Sequence, residues 1–164
     1  MTTEERAARI ETLRAFNRFW TAHIGVLRSR HLDTPYSLTE ARVLFELAQN
    51  EVTELADLRA ALQIDAGYFS RILARFRTSH LVATEASPRD ARRQLGRLTA
   101  KGRRAFELLD ARSVEQMERS IAMLDESEQR RLTASLGAAH ALFSQPKTRA
   151  RGFLLRAPLP NKYN

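Results

Sequence analysis

Near its middle, inside its most basic stretch, the chain changes its apolar period from helical to alternating. Over residues 66–79, Phe69, Ile72, Leu73 and Phe76 recur at the three-to-four spacing of one helix face. From Leu81 to Ala86 the pattern alternates and takes up β-branched residues. Ser87, Pro88, Arg89 and Asp90 form a turn cluster, and Gln94 to Leu98 reads as a returning strand. A basic helix passing directly into a small, arginine-tipped hairpin is the feature that any fold for this chain has to accommodate.

The charge follows the same boundaries. Residues 66–104 hold 10 basic and 2 acidic side chains, a net +8 equal to the excess of the whole chain, whereas residues 1–65 are net −2 and 105–145 net −3. A localised basic block suits a polyanion, and nucleic acid is the commonest one. A membrane surface would call for a long basic amphipathic helix, which a helix plus hairpin is not. Single-strand readers show aromatic platforms; of Tyr68, Phe69 and Phe76, two belong to the apolar stripe. Duplex DNA is the partner expected. Only Lys101, Lys147 and Lys162 are lysines among the 27 basic residues. The guanidinium fork suits phosphate and guanine, although a GC-rich genome writes the same bias.

Several classes drop out. The 164 residues, 18.7 kDa, fit one globular domain with or without an arm. There is no cysteine, hence no disulfide scaffold, thiolate zinc site or cysteine nucleophile. No run approaches the roughly 20 apolar residues of a membrane span, and the N-terminus lacks the apolar stretch of a signal peptide. The expected location is cytoplasmic, on the nucleoid. His23, His31, His80 and His140 are scattered without metal-ligand spacing, so no metal is expected. Six glycines form no phosphate loop or coenzyme A motif, and no G-x-S-x-G elbow is present. Neither catalysis nor a cofactor is expected.

The remaining elements follow from periodicity and caps. A first helix from Glu4 to about Arg30 aligns Ile10, Leu13, Phe16, Trp20, Ile24 and Leu27, and Asp33-Thr34-Pro35 breaks the chain after it. Ser37 and Glu40 have the spacing of a capping box for a second helix ending near Gln49. A short third helix starts at Thr53 or Glu54 and runs to Leu62; Asp65 caps the fourth. Thr99 caps a fifth helix reaching Glu118, and Asp125 with Glu128 caps a sixth that Pro146 closes. Residues 146–164 read as an extended basic tail. The fold class expected is mainly α with a small β-hairpin wing, in the order of a winged helix-turn-helix.

Such a motif needs a helix that buries one side and offers short polar and arginine side chains to a major groove. Tyr68, Ser70, Arg71 and Arg75 are the residues expected nearest base edges or phosphates, with Gly67 and Ala74 small enough for close approach. At the hairpin tip Arg89, Arg92 and Arg93 repel one another with only Asp90 to offset them, which suits the concentrated negative potential of a minor groove. Asp90 can hold one of these arginines or form an Asx turn. The plainer alternative is that any exposed helix carries arginines.

From Thr53 through Gly102 the sequence resembles the MarR family of winged-helix regulators. The similarity rests on Leu55-Ala56, on Leu62, Ile64 and Asp65, and on Phe69-Ser70-Arg71. It is closest from Ser87 to Arg93, followed by Leu98-Thr99-Ala100-Lys101-Gly102. The resemblance implies a helical dimerisation region built from 1–32 and 105–145 around a DNA-binding domain at 36–104. It also implies that Arg92 enters a minor groove, supported by Asp90. A small-molecule crevice is implied as well, with Phe16, Trp20, His23, Leu27 and Tyr36 as candidates; the same aromatic stripe serves equally as core or dimer interface. His80 stands where the family usually has Gly, and Thr84 where Arg is common. Residues Arg151 to Pro160 are similar to the segment that opens the enzyme half in regulators fused to a GNAT acetyltransferase. The function expected is a homodimeric repressor on a pseudo-palindromic operator, released by a small-molecule effector. The alternative is the regulatory half of an acetyltransferase fusion with no sensing of its own.

Overall fold

The computed structural model describes residues 2–25 and 31–144. Leu27 and the tail at 146–164 lie outside the described residues. The chain forms two units, Met1–Gln116 and Met117–Asn164. Among the described residues the chain forms six α-helices and a small antiparallel three-stranded sheet.

In the first unit, α1 spans Thr3–His23 and opens on a capping box between Thr2 and Glu5. It ends earlier than its apolar stripe suggests, because Gly25 follows at φ 67° and turns the backbone left-handed. A 3-10 turn, His31–Asp33, leads to α2, Leu38–Ala48. Ser37 and Glu40 form the expected box, each side chain accepting from the other's backbone N–H. Then come β1 (Thr53–Glu54), α3 (Leu55–Leu62) and α4 (Ala66–Thr78), the last capped by Asp65 through Tyr68 N–H at 2.9 Å.

The hairpin strands are β2, Val82–Ala86, and β3, Gln94–Leu98. They pair antiparallel with Thr84 opposite Gly96. The sequence pattern predicts two strands; the structure adds β1, whose Thr53 and Glu54 pair with Gly96 and Leu95 to give the order β1-β3-β2. Leu55 fills the space above Gly96, where a Cβ would lie 2.6 Å from its Cδ2. Helix α5, Ala100–Ile121, begins under Thr99, whose hydroxyl accepts from Gly102 N–H and donates to His80 O.

One core serves the winged region. It gathers Val43, Leu44 and Leu47 from α2, Leu55 and Leu58 from α3, and Phe69, Ile72, Leu73 and Phe76 from α4, closed by Leu81, Val82 and Leu109. Burying side chains of this size contributes roughly 1.5–3 kcal/mol each, so the α2–α4 packing and the wing base form one body. The stripe expected for α4 is therefore the buried one. Helix α1, by contrast, buries none of its residues: Leu13 and Phe19 are 58% and 62% exposed.

In the second unit the described part is the end of α5 and α6, Glu126–Ser144. Asp125 and Glu128 cap α6 reciprocally at 3.0 and 2.9 Å. The amide of Gln129 donates back to the carbonyls of Ile121 and Leu124. No residue of α6 is buried, and Leu136, Leu142 and Phe143 are exposed.

Candidate nucleic-acid interface

Helix α4 presents the surface its sequence predicts. With Phe69, Ile72, Leu73 and Phe76 turned inward, Tyr68, Ser70 and Arg71 are left exposed. The Arg71 guanidinium lies over the Tyr68 ring, 5.6 Å from its centroid, a cation–π contact that pre-orders both side chains. Gly67 makes room for this arrangement: a Cβ there would sit 3.3 Å from the Asp65 cap oxygen and 3.6 Å from Arg71 Nη1.

Arg75 is placed differently. Its Nη1 donates to Glu40 Oε1 at 2.5 Å and its Nη2 to Pro35 O at 2.9 Å. The guanidinium thus holds α4 against the N-terminus of α2, with the Glu40 carboxylate buried beneath it.

The wing tip is held by the backbone of its turn. Asp90 Oδ1 accepts from Arg92 N–H at 3.0 Å and Asp90 O from Arg93 N–H at 2.9 Å, so the Asx-turn role is present. Arg93 reaches across the sheet and donates to both oxygens of Glu54, at 2.8 and 2.9 Å. Hydrogen bonding from a single nitrogen, Nη1, to the Glu54 carboxylate pushes the Arg93 guanidinium pKa up from an already high value. Arg89 and Arg92 make no ion pair among the described residues.

Helix and wing meet around one crevice. A cavity of about 360 Å³ is lined by Arg59 of α3, by Ala66 and Ser70 of α4, and by Arg92, Arg93 and Gln94 of the wing. Three guanidinium groups from elements distant in sequence therefore converge beside the exposed side of α4. Glu54, which pairs with Arg93, and Asp57 line the same crevice, so Arg59 and Arg92, without an ion pair among the described residues, are the cations that an anionic strand laid there would meet.

The aromatic candidates fall into two places. Phe16, Trp20 and His23 stack along α1, with centroids 6.2 Å apart for Phe16–Trp20 and 5.6 Å for Trp20–His23. Tyr36 instead meets Phe76 edge-on at 6.3 Å, and burial raises its hydroxyl pKa. A second cavity, of about 220 Å³, lies between α2 and the first part of α5, and none of these four lines it. Its walls are Phe45 and Phe106, edge-to-face at 5.9 Å, with Leu38 and Leu109. Arg42 sits over the Phe45 ring, and His31, held below its ordinary pKa by burial, lines the same space with Asp110. Sequence reasoning missed Arg42 and Phe45. Their one signal is an exposed arginine three residues before an aromatic on the same helix.

Among the described residues no group of three His, Asp or Glu side chains is placed to hold a metal ion, and no helix is long and apolar enough to cross a membrane.

Residues 34–93, the span from the corner before α2 to the wing tip, match the MarR family. The match covers 60 of the 164 residues and makes this part of the chain similar to that family. Among solved structures, RV1404 from Mycobacterium tuberculosis aligns with a TM-score of 0.68 at 19% identity, covering 90% of this chain and all of that one. BpsR of Bordetella bronchiseptica, whose DNA binding is regulated by 6-hydroxynicotinic acid, aligns at 0.61 and 20% over 79% of this chain and 98% of its own. Wild-type MarR from E. coli, without ligand, aligns at 0.59 and 17% over 85% and 97%. At these identities the structures show the shared fold. No curated protein matches the sequence.

Proposed function

We propose that this chain is a MarR-type transcriptional regulator, binding a pseudo-palindromic DNA operator as a homodimer and repressing from it. The observation that carries the reading is the shared crevice, where Ser70 of α4 faces Arg92 of the wing with Arg59 beside them. Tyr68, Ser70 and Arg71 enter the major groove. Arg89 and Arg92 follow the backbone into the adjacent minor groove, and Asp90 and the Arg93–Glu54 pair hold the wing at that angle. The helices at 1–32 and 105–145 supply the dimer contact, for which the exposed apolar residues of α1 and α6 are suited.

Release by an effector is the second half of the proposal. The 220 Å³ cavity has aromatic walls that suit a flat ring, and Arg42, which also pairs with Glu46, is the cation that a carboxylate on that ring would meet. That a BpsR-like fold answers to 6-hydroxynicotinic acid agrees with this choice.

The test is selection of duplexes from a random library, followed by titration of Arg92→Ala and Arg71→Ala against the enriched sequence. Both variants should fold and bind more weakly. If Arg71 reads a base, its loss costs about 1–3 kcal/mol and relaxes specificity at one position. Unchanged affinity in both variants contradicts the interface. For the effector, 6-hydroxynicotinate and salicylate should raise the melting temperature and release DNA, and Phe106→Ala should abolish both effects. No shift with either acid counts against the cavity.

A further inference from the structure

The corner that joins the 3-10 turn to α2 is held open by two arginines from different helices. Leu32 and Asp33 have φ values of 54° and 52°, a left-handed conformation that L-residues keep only where their surroundings impose it. From α5, Arg112 Nη1 donates to Leu32 O at 2.8 Å and to Asp33 O at 2.6 Å. From α4, Arg75 Nη2 donates to Pro35 O at 2.9 Å while its other nitrogen is tied to buried Glu40. Between these two clamps the corner is tight. Thr34 is 1% exposed, its hydroxyl donating to His31 O at 2.7 Å, and His31 N–H donates to Tyr36 O at 2.9 Å. The Tyr36 ring then rests on Phe76 of α4.

The same corner forms part of a cavity wall. His31 and Leu32 line the 220 Å³ space, with Asp110 and Ser113 of α5 opposite. Anything that enters this space presses on a backbone already in a sparsely populated conformation. The corner's far end is fastened to the helix that faces DNA.

We infer that residues 31–36 are a coupling joint through which α5 and the cavity beside it set the pose of α4, and that Arg112 and Arg75 are positioning residues for DNA reading. Arg75 lies on the recognition helix, yet both of its bonds point into the domain, so its contribution to DNA affinity comes from where it holds α4. This inference rests on the DNA-binding reading and names how that surface is regulated.

Two possibilities for Arg75 differ in sign and in salt dependence. A guanidinium that neutralises a phosphate contributes about 0.9 to the slope of log affinity against log salt. One that only positions the helix contributes nothing to that slope. Glu40→Gln separates them further, since glutamine keeps the capping geometry but removes the charge that holds Arg75. A positioning arginine then loses its anchor and DNA binding weakens, whereas a phosphate-binding arginine is freed and DNA binding tightens.

The experiment measures affinity for the library-selected duplex over a series of KCl concentrations, in wild type, Arg75→Met, Glu40→Gln and Arg112→Met. All three variants should bind roughly 5- to 150-fold more weakly, the span of coupling between sites, with the wild-type salt slope. A slope lowered by about 0.9 in Arg75→Met, tighter binding in Glu40→Gln, or unchanged affinity in Arg112→Met overturns the inference. Should a methionine variant not fold, Arg75→Lys and Arg112→Lys replace it, each keeping a single donor nitrogen and giving a smaller loss at the same slope. Hydrogen exchange supplies a readout independent of DNA. In Arg112→Met, amides of α4 over 66–78 should exchange faster along with those of 31–36; acceleration confined to 31–36 defeats the joint. If no duplex is enriched at all, the DNA-binding reading fails, and the exchange result alone decides whether the corner couples the helices.

Discussion

At the scale of single residues, His80 and Thr53 are two sites at odds with ordinary preference. The end of α4 is a Schellman motif: His80 N–H donates to Arg77 O at 2.9 Å and Leu81 N–H to Phe76 O at 2.8 Å. His80 takes φ 56° there, the position where glycine is the common choice. The departure from the family pattern seen in the sequence is thus accommodated by backbone strain, with the turn itself unchanged. His80→Gly should stabilise the fold by about 1 kcal/mol, the left-handed penalty removed less the entropy glycine adds to the unfolded chain. Urea titration checks this, through a higher midpoint at constant slope. Thr53 in β1 carries a buried hydroxyl with no hydrogen-bond partner. A buried donor left unmade costs free energy, and removing it with a shape-matched apolar group is neutral or better. Thr53→Val should therefore leave stability equal or raise it by up to about 1 kcal/mol; a clear loss in the same titration would mean the hydroxyl has a partner in solution.

Elements were legible where local chemistry decides them. Ser37 with Glu40, Asp65, and Asp125 with Glu128 are capping residues whose partners lie three residues away, so spacing alone reveals them. The hairpin was legible because its turn cluster interrupts two alternating runs. What escaped has long-range causes. β1 is two residues long and too short to show a period; it exists because β3 offers it a free edge. The Arg75–Glu40 and Arg93–Glu54 pairs join residues 35 and 39 positions apart, and the cavity forms only where Phe45 meets Phe106 across two helices. The early end of α1 had a readable signal, Gly25, that the apolar stripe running past it obscured. The cap of α6 also carries a pH dependence. Backbone donation from Glu128, then hydrogen bonding from Ser127, lowers the Asp125 pKa below the usual carboxylate value. A carboxylate with a depressed folded pKa stabilises above its unfolded pKa and loses that contribution as pH falls through the folded value. The first turn of α6 should fray on acidification below the ordinary aspartate range, seen as faster amide exchange at 126–129. Asp125→Asn, which keeps an accepting oxygen without a titrating group, should flatten that dependence.

At the scale of the whole molecule, the surface of α1 is the feature the single chain leaves unexplained. Ile10, Leu13, Phe16 and Phe19 are all exposed, on a helix that buries nothing. Exposed apolar side chains on one helix mark an interaction surface, and a second copy of the chain is the occupant that the proposed symmetric operator requires. Two recognition helices one duplex turn apart need a fixed spacing, and only a rigid dimer contact supplies it. Leu13→Glu combined with Phe16→Glu places two charges on that face without touching α4 or the wing. The mass measured by light scattering should fall from that of a dimer to 18.7 kDa. DNA binding should then weaken in a particular way. A monomer engages one half-site, so the slope of log affinity against log salt should drop to about half the wild-type value. The gain from linking two half-sites, on the order of 10²- to 10⁴-fold, should disappear. A wild-type chain that is monomeric at working concentration, or a double variant that keeps both mass and slope, would show that α1 faces something other than its own copy.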